Sequence, residues 1–151
     1  MPTIENLMVA NHAEAIGGLL YVSGGGWTEH WRGAGNPDGT FPPSHLGIAI
    51  TILTSWNETN RRYPVLVVVE PEDGGDAVIR VEGEMESGRP PGVPEGIDLR
   101  SALAVNAEVG YPQAGGYRVV AQVGEDTRTV SFRVHDRPAP FAGAGVPPTP
   151  M

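Results

Sequence analysis

The chain has 151 residues and a formal net charge of −8. All ten of its fixed side-chain cations are Arg, with no Lys and no Cys. These absences exclude a disulfide framework, Cys-ligated metal centres, thiol nucleophiles, a phosphate-loop lysine and Schiff-base chemistry.

At 16.0 kDa the size scaling gives one domain that buries roughly two-thirds of its unfolded surface. That allows a core without staples. A pI near 4.9 argues against nucleic acid, which needs clustered cations. The first residues lack a basic stretch, and no apolar run reaches membrane-spanning length. The expectation is a soluble, cytoplasmic protein with no cofactor and no membrane partner.

Alternation of apolar and polar residues dominates the chain. Glu5–Ile16 reads as a strand, although its middle also fits a helix. Gly17-Gly18 is a hairpin turn and Leu19–Ser23 the returning strand. Gly24-Gly25-Gly26 ends it, and Trp27–His45 reads as a long loop rich in Gly and Pro. In Leu46–Trp56, Leu46, Ile48, Ile50 and Ile52 line one face. Gly47, Ala49, Thr51 and Leu53 line the other, which is small and nearly apolar. Asn57–Arg62 is a polar turn.

Tyr63–Glu70 is apolar on both faces, unusual in a small antiparallel sheet. Its outer face therefore calls for cover by the long loop or by a second subunit. Glu72–Gly75 turns the chain into Ala77–Glu86, with Ile79, Val81 and Met85 inward and Arg80, Glu82 and Glu84 outward. Arg89–Gly96 is a Pro/Gly connection. Leu99–Val109 is a sixth strand, and Tyr117–Val123 with Thr129–Val134 closes the fold as a hairpin. The predicted fold is all-β, a single antiparallel β-sandwich of seven or eight strands with a closed barrel as runner-up. Residues 1–134 form the domain. Residues 135–151 form a Pro/Gly/Ala-rich tail, disordered or docked on a partner.

The closing segment Gly115-Gly116-Tyr117-Arg118-Val119-Val120 with Val130-Ser131-Phe132-Arg133-Val134 resembles the last strands of bacterial immunoglobulin-like domains. That resemblance implies an immunoglobulin-like sandwich and carries no function. Residues 5–134 are similar to a narrower family of small bacterial proteins that carries a domain-of-unknown-function label. Asn11-His12-Ala13-Glu14, Gly18-Leu19-Leu20-Tyr21-Val22, Gly24-Gly25-Gly26-Trp27, the Trp56–Arg62 segment and Gly88-Arg89-Pro90-Pro91-Gly92 carry the similarity. It implies a β-sandwich and assigns no catalytic residue.

Candidate sites are few. Trp27, His30 and Trp31 offer planar surfaces for a ligand or partner, or else plug the open end of the sandwich. Trp56, Asn57, Arg61 and Arg62 form a second patch, equally able to satisfy their own loop. Leu66 and Val68 on the two-sided strand, with Phe141 and Val146 in the tail, are interface candidates. His12 and Glu14 share a strand face and, with His30 or His45, would make a three-ligand metal site; a surface or hydrogen-bonded role is preferred, and no metal is expected. Glu70, Glu72, Asp73 and Asp76 read as a solvated acidic turn rather than a Ca²⁺ site. The sequence favours a non-catalytic structural or protein-interaction module that self-associates. A small-ligand or carbohydrate binder using the Trp27–Trp31 segment comes second, and a metal-dependent enzyme third.

Overall fold

The structure is a computed structural model that describes residues 1–137. The described residues are all-β apart from one 3₁₀ turn at Trp56–Glu58. Their strands are β1 (Thr3–Ile16), β2 (Leu19–Gly25), β3 (Glu29–Arg32), β4 (Ser44–Thr54), β5 (Arg62–Pro71), β6 (Ile79–Glu86), β7 (Leu99–Val109), β8 (Gly115–Val123) and β9 (Asp126–Asp136). A four-stranded sheet has the order β2-β1-β4-β7, and a five-stranded sheet the order β3-β9-β8-β5-β6. Among the described residues, no helix is long and apolar enough to cross a membrane.

The two sheets pack face to face as a β-sandwich, because strand alternation sends one apolar set from each to the inside. Ile4, Val9, Leu46, Ile48, Ile50 and Ile52 come from the first sheet. Val67, Val69, Tyr117, Val119, Val123, Phe132 and Val134 come from the second, and all join one buried cluster. At one end the cluster is aromatic. Tyr117 stacks on Phe132 with centroids 5.8 Å apart, and Tyr111 meets both edge-on. Burial pushes the Tyr111 phenol well above its ordinary range. The Tyr117 hydroxyl donates to the Gln113 carbonyl at 2.7 Å, so its polar end is satisfied.

The β1–β2 turn matches its sequence signal. Gly17 and Gly18 have φ of +59° and +78°, the left-handed pair that a two-residue hairpin turn needs. What the sequence did not indicate is where this hairpin goes. Pairing of β1 with β4 ends at Ala10↔Gly47. Beyond it, β1 lifts out of the sheet and arches over the outer face of β4 and β7. A Cβ on Gly47 would lie 2.9 Å from backbone atoms of His12 and Ala13, so only Gly allows the crossing. Asn106 on β7 grips the arch. Its Oδ1 accepts from the Ala13 N–H at 3.1 Å, and its Nδ2 donates to the Ala13 carbonyl at 2.7 Å. A side-chain amide thus replaces a backbone partner for a residue that is fully buried.

Five expectations need correction. The sandwich is not antiparallel throughout, because β3 pairs in parallel with β9, from Glu29↔Arg133 to Arg32↔Asp136. The segment Trp27–His45 is therefore not all loop. The last strand runs on through His135 and Asp136, because β3 supplies their partners. Neither loop nor second subunit is needed to shade the outer face of β5. Val68 is 7% exposed there, flanked in register by Arg80 on β6 and Val120 on β8. Finally, Val81 is exposed: its strand β6 is the outermost of its sheet and has a neighbour on one side only. The tail positions Phe141 and Val146 lie outside the described residues.

Candidate functional site

The aromatic segment is divided by β3. Trp27, just ahead of the strand, packs against the core and meets Phe132 edge-on at 5.3 Å. Its indole Nε1 is buried without a hydrogen-bond partner. His30 points inward between Trp27 and Tyr111, at centroid distances of 5.8 and 5.4 Å, and its Nε2 lies 3.1 Å from Ser44 Oγ. Burial, followed by the charge of Arg137, holds the His30 pKa below the usual imidazole range. Trp31 takes the opposite face, 48% exposed, and stacks on His135 at 4.9 Å. The three residues expected to act together are thus split between core and surface.

Next to them lies a residue that the sequence did not single out. Arg32 is buried, with Nε donating to Asp136 at 2.6 Å and Nη1 to the Tyr111 carbonyl at 2.9 Å. Its guanidinium sits 3.5 Å over the Phe41 ring. One planar cation therefore ties β9, the aromatic end of the core and the 33–43 loop.

The second patch is also turned to structural use. The Arg89 guanidinium lies 3.6 Å over the Trp56 ring. It donates to the Trp56 carbonyl at 2.7 Å and to Thr59 Oγ1 at 2.7 Å. The 3₁₀ turn is so pinned to the Pro/Gly connection after β6. Asn57 and Arg61 are exposed, and Arg62 reaches within 4.0 Å of Glu84 and Glu86. Leu66 is half-buried next to Val68 on β5, opposite Glu82 and Gln122.

The arching hairpin is different. Ile16, Leu19 and Tyr21 are 56%, 62% and 53% exposed. The pairs Ile16↔Leu19 and Glu14↔Tyr21 put all three on one face. Strand β2 is an outer strand, reads Leu-Leu-Tyr-Val-Ser-Gly-Gly and carries no charge. The opposite outer strand β6 carries Arg80, Glu82, Glu84 and Glu86. The short edge β3 has four residues. Edge β7 is met near its start by Ser87, whose Oγ lies 3.2 Å from Ser101 Oγ, and crossed near its end by the hairpin.

At the root of the hairpin four titratable side chains from three strands form a chain. Glu14 Oε1 lies 3.0 Å from His12 Nε2, His12 Nδ1 lies 3.0 Å from His45 Nε2, and His45 Nδ1 lies 2.9 Å from Glu108 Oε1. Of the two partners expected for His12 and Glu14, the structure brings His45 and leaves His30 in the aromatic end. Among the described residues, no three His, Asp or Glu side chains converge to hold a metal ion; Glu14 and Glu108 lie behind the rings.

No family model matches the chain, and no curated protein matches it in sequence. Among solved structures it is similar to a β-glucosidase from Listeria innocua in complex with gluconolactone, with a TM-score of 0.46 and 9% identity. That match covers 89% of this chain, which spans 16% of the glucosidase chain.

Proposed function

We propose that the protein is a non-catalytic interaction module that self-associates by pairing the β2 edges of two copies. The observation that carries this reading is the uncharged, apolar, exposed edge of β2, in contrast to the guarded edge of β6. An unpaired strand edge presents a row of free N–H and C=O groups, and charged side chains are a common means of keeping other strands off it. Two copies of β2 related by a two-fold axis run antiparallel and join the four-stranded sheets into one. With −8 on each chain, copies repel over most of their surface. β2 lets two copies meet without setting like charges opposite each other. Ile16, Leu19 and Tyr21 add apolar area beside the seam.

Sedimentation velocity over a micromolar concentration series tests this. The expected result is a reversible dimer that Tyr21→Glu converts to a monomer with an unchanged far-UV spectrum. A wild-type monomer at every concentration overturns it.

A second reading, a binder of planar ligands or sugars, draws on the exposed Trp31–His135 stack. It predicts that Trp31→Ala abolishes ligand-induced quenching without lowering stability. Trp27→Ala does not test it, since that ring belongs to the core.

A further inference from the structure

We infer that His12, His45 and Asn106 form a site for a divalent transition metal of the zinc class, clipping the β1–β2 hairpin to β4 and β7. The inference stands apart from the β2 edge reading and rests on the donor atoms. His12 Nδ1 and His45 Nε2 are 3.0 Å apart, a few tenths of an ångström short of the roughly 3.3–3.4 Å between two imidazole nitrogens on one tetrahedral metal at about 2.0–2.1 Å each, so a small movement of the partly exposed rings admits the ion. Asn106 Oδ1 lies 3.3 Å from His45 Nε2. The orientation of that amide is fixed, because its oxygen accepts from Ala13 N–H and its nitrogen donates to Ala13 C=O. An oxygen, not an NH₂ group, therefore faces the imidazoles.

The rear nitrogens complete the argument. His12 Nε2 meets Glu14, and His45 Nδ1 meets Glu108. In the tautomer that keeps each ring's hydrogen on the nitrogen facing its carboxylate, the front nitrogen of each neutral ring offers a lone pair. The His12 front nitrogen and the amide oxygen then both lie beside His45 Nε2, at 3.0 and 3.3 Å. A single proton can bridge the nitrogens as an N–H···N bond; a dication satisfies both and the amide as well. Carboxylates behind the rings are the arrangement that orients metal-binding imidazoles and raises their basicity. Glu14 and Glu108 also supply two negative charges to balance the ion. Imidazole donors suit Zn²⁺, Cu²⁺ and Ni²⁺ over Mg²⁺ or Ca²⁺. Both imidazoles are partly exposed, with 43% and 38% of side-chain surface accessible, so water completes the coordination.

The test titrates Zn²⁺ into protein without a polyhistidine tag, by calorimetry, and follows the histidine ring nitrogens by NMR. Expected are one saturable Zn²⁺ per chain, shifts at His12 Nδ1 and His45 Nε2, and no heat with Mg²⁺. His12→Gln and His45→Gln each weaken binding at least tenfold, Glu108→Gln weakens it roughly 10- to 100-fold, and His30→Gln leaves it unchanged. Absence of saturable binding to folded wild-type protein overturns the site and leaves a plain histidine–histidine hydrogen bond. Binding that shifts other ring nitrogens, or that survives both His12→Gln and His45→Gln, overturns it too.

Discussion

Strands β2 and β6 are both outermost in their sheets, and they meet solvent in opposite ways. β6 alternates Arg80, Glu82, Glu84 and Glu86 along its length, with Arg80 paired to Glu82 at 2.6 Å. β2 has no charge and leaves Leu19, Tyr21 and Val22 exposed. The same backbone chemistry is thus guarded on one side of the molecule and left open on the other. The difference teaches that openness at β2 is specific to that edge and not a property of the whole acidic chain.

The largest expected effect comes from giving β2 the character of β6. Tyr21→Glu sets like charges near a two-fold axis and raises the dimer Kd at least about a hundredfold, or ~3 kcal/mol. Sedimentation checks this. Next is the arch that presents β2. Gly47→Ala forces a methyl group against the backbone of His12 and Ala13, which is expected to cost about 1–3 kcal/mol in urea unfolding.

Asn106→Ala leaves the buried Ala13 amide and carbonyl without their partner. The expected loss is about 1–3 kcal/mol by the same measurement. A smaller effect is the reverse conversion: Glu82→Thr with Glu84→Thr strips the guard from β6 and yields weak new association by light scattering. The smallest lies in the control region away from both edges. The His30 pKa is lowered from 6.5, so the unfolded chain binds the proton more tightly than the folded one. Stability is then lost as pH falls below about 6.5 toward the folded value. His30→Gln flattens that part of the stability–pH curve, read by thermal melts.

Much of the sandwich was legible because its signals are local. Leu46, Ile48, Ile50 and Ile52 alternate into the core as read, and Gly17-Gly18 marks its turn with the φ values a hairpin needs. β3 was not legible: four residues, Glu29–Arg32, are too few to show a period, and their pairing is parallel and more than a hundred positions distant. Missing that strand also hid the alternation that sends His30 inward and Trp31 outward.

The candidate site was legible only in fragments. His12, Glu14 and His45 were named, but Asn106 and Glu108 join them only because β7 pairs with β4. Gly47 looked like one small residue among several. Its meaning, a close backbone crossing, depends on a chain segment that lies 34 positions earlier in sequence and carries no mark of its own. Nothing local sets Arg32 and Arg89 apart from the other eight Arg, because stacking on Phe41 and Trp56 is a tertiary property.

The central claim concerns which edge is open, and hydrogen exchange read strand by strand at rising protein concentration tests it most directly. The account predicts that the β2 amides facing away from β1 gain protection as concentration rises, while the outer amides of β6 exchange at a constant rate. Unchanged exchange at β2, or protection that grows at β6 instead, would contradict it.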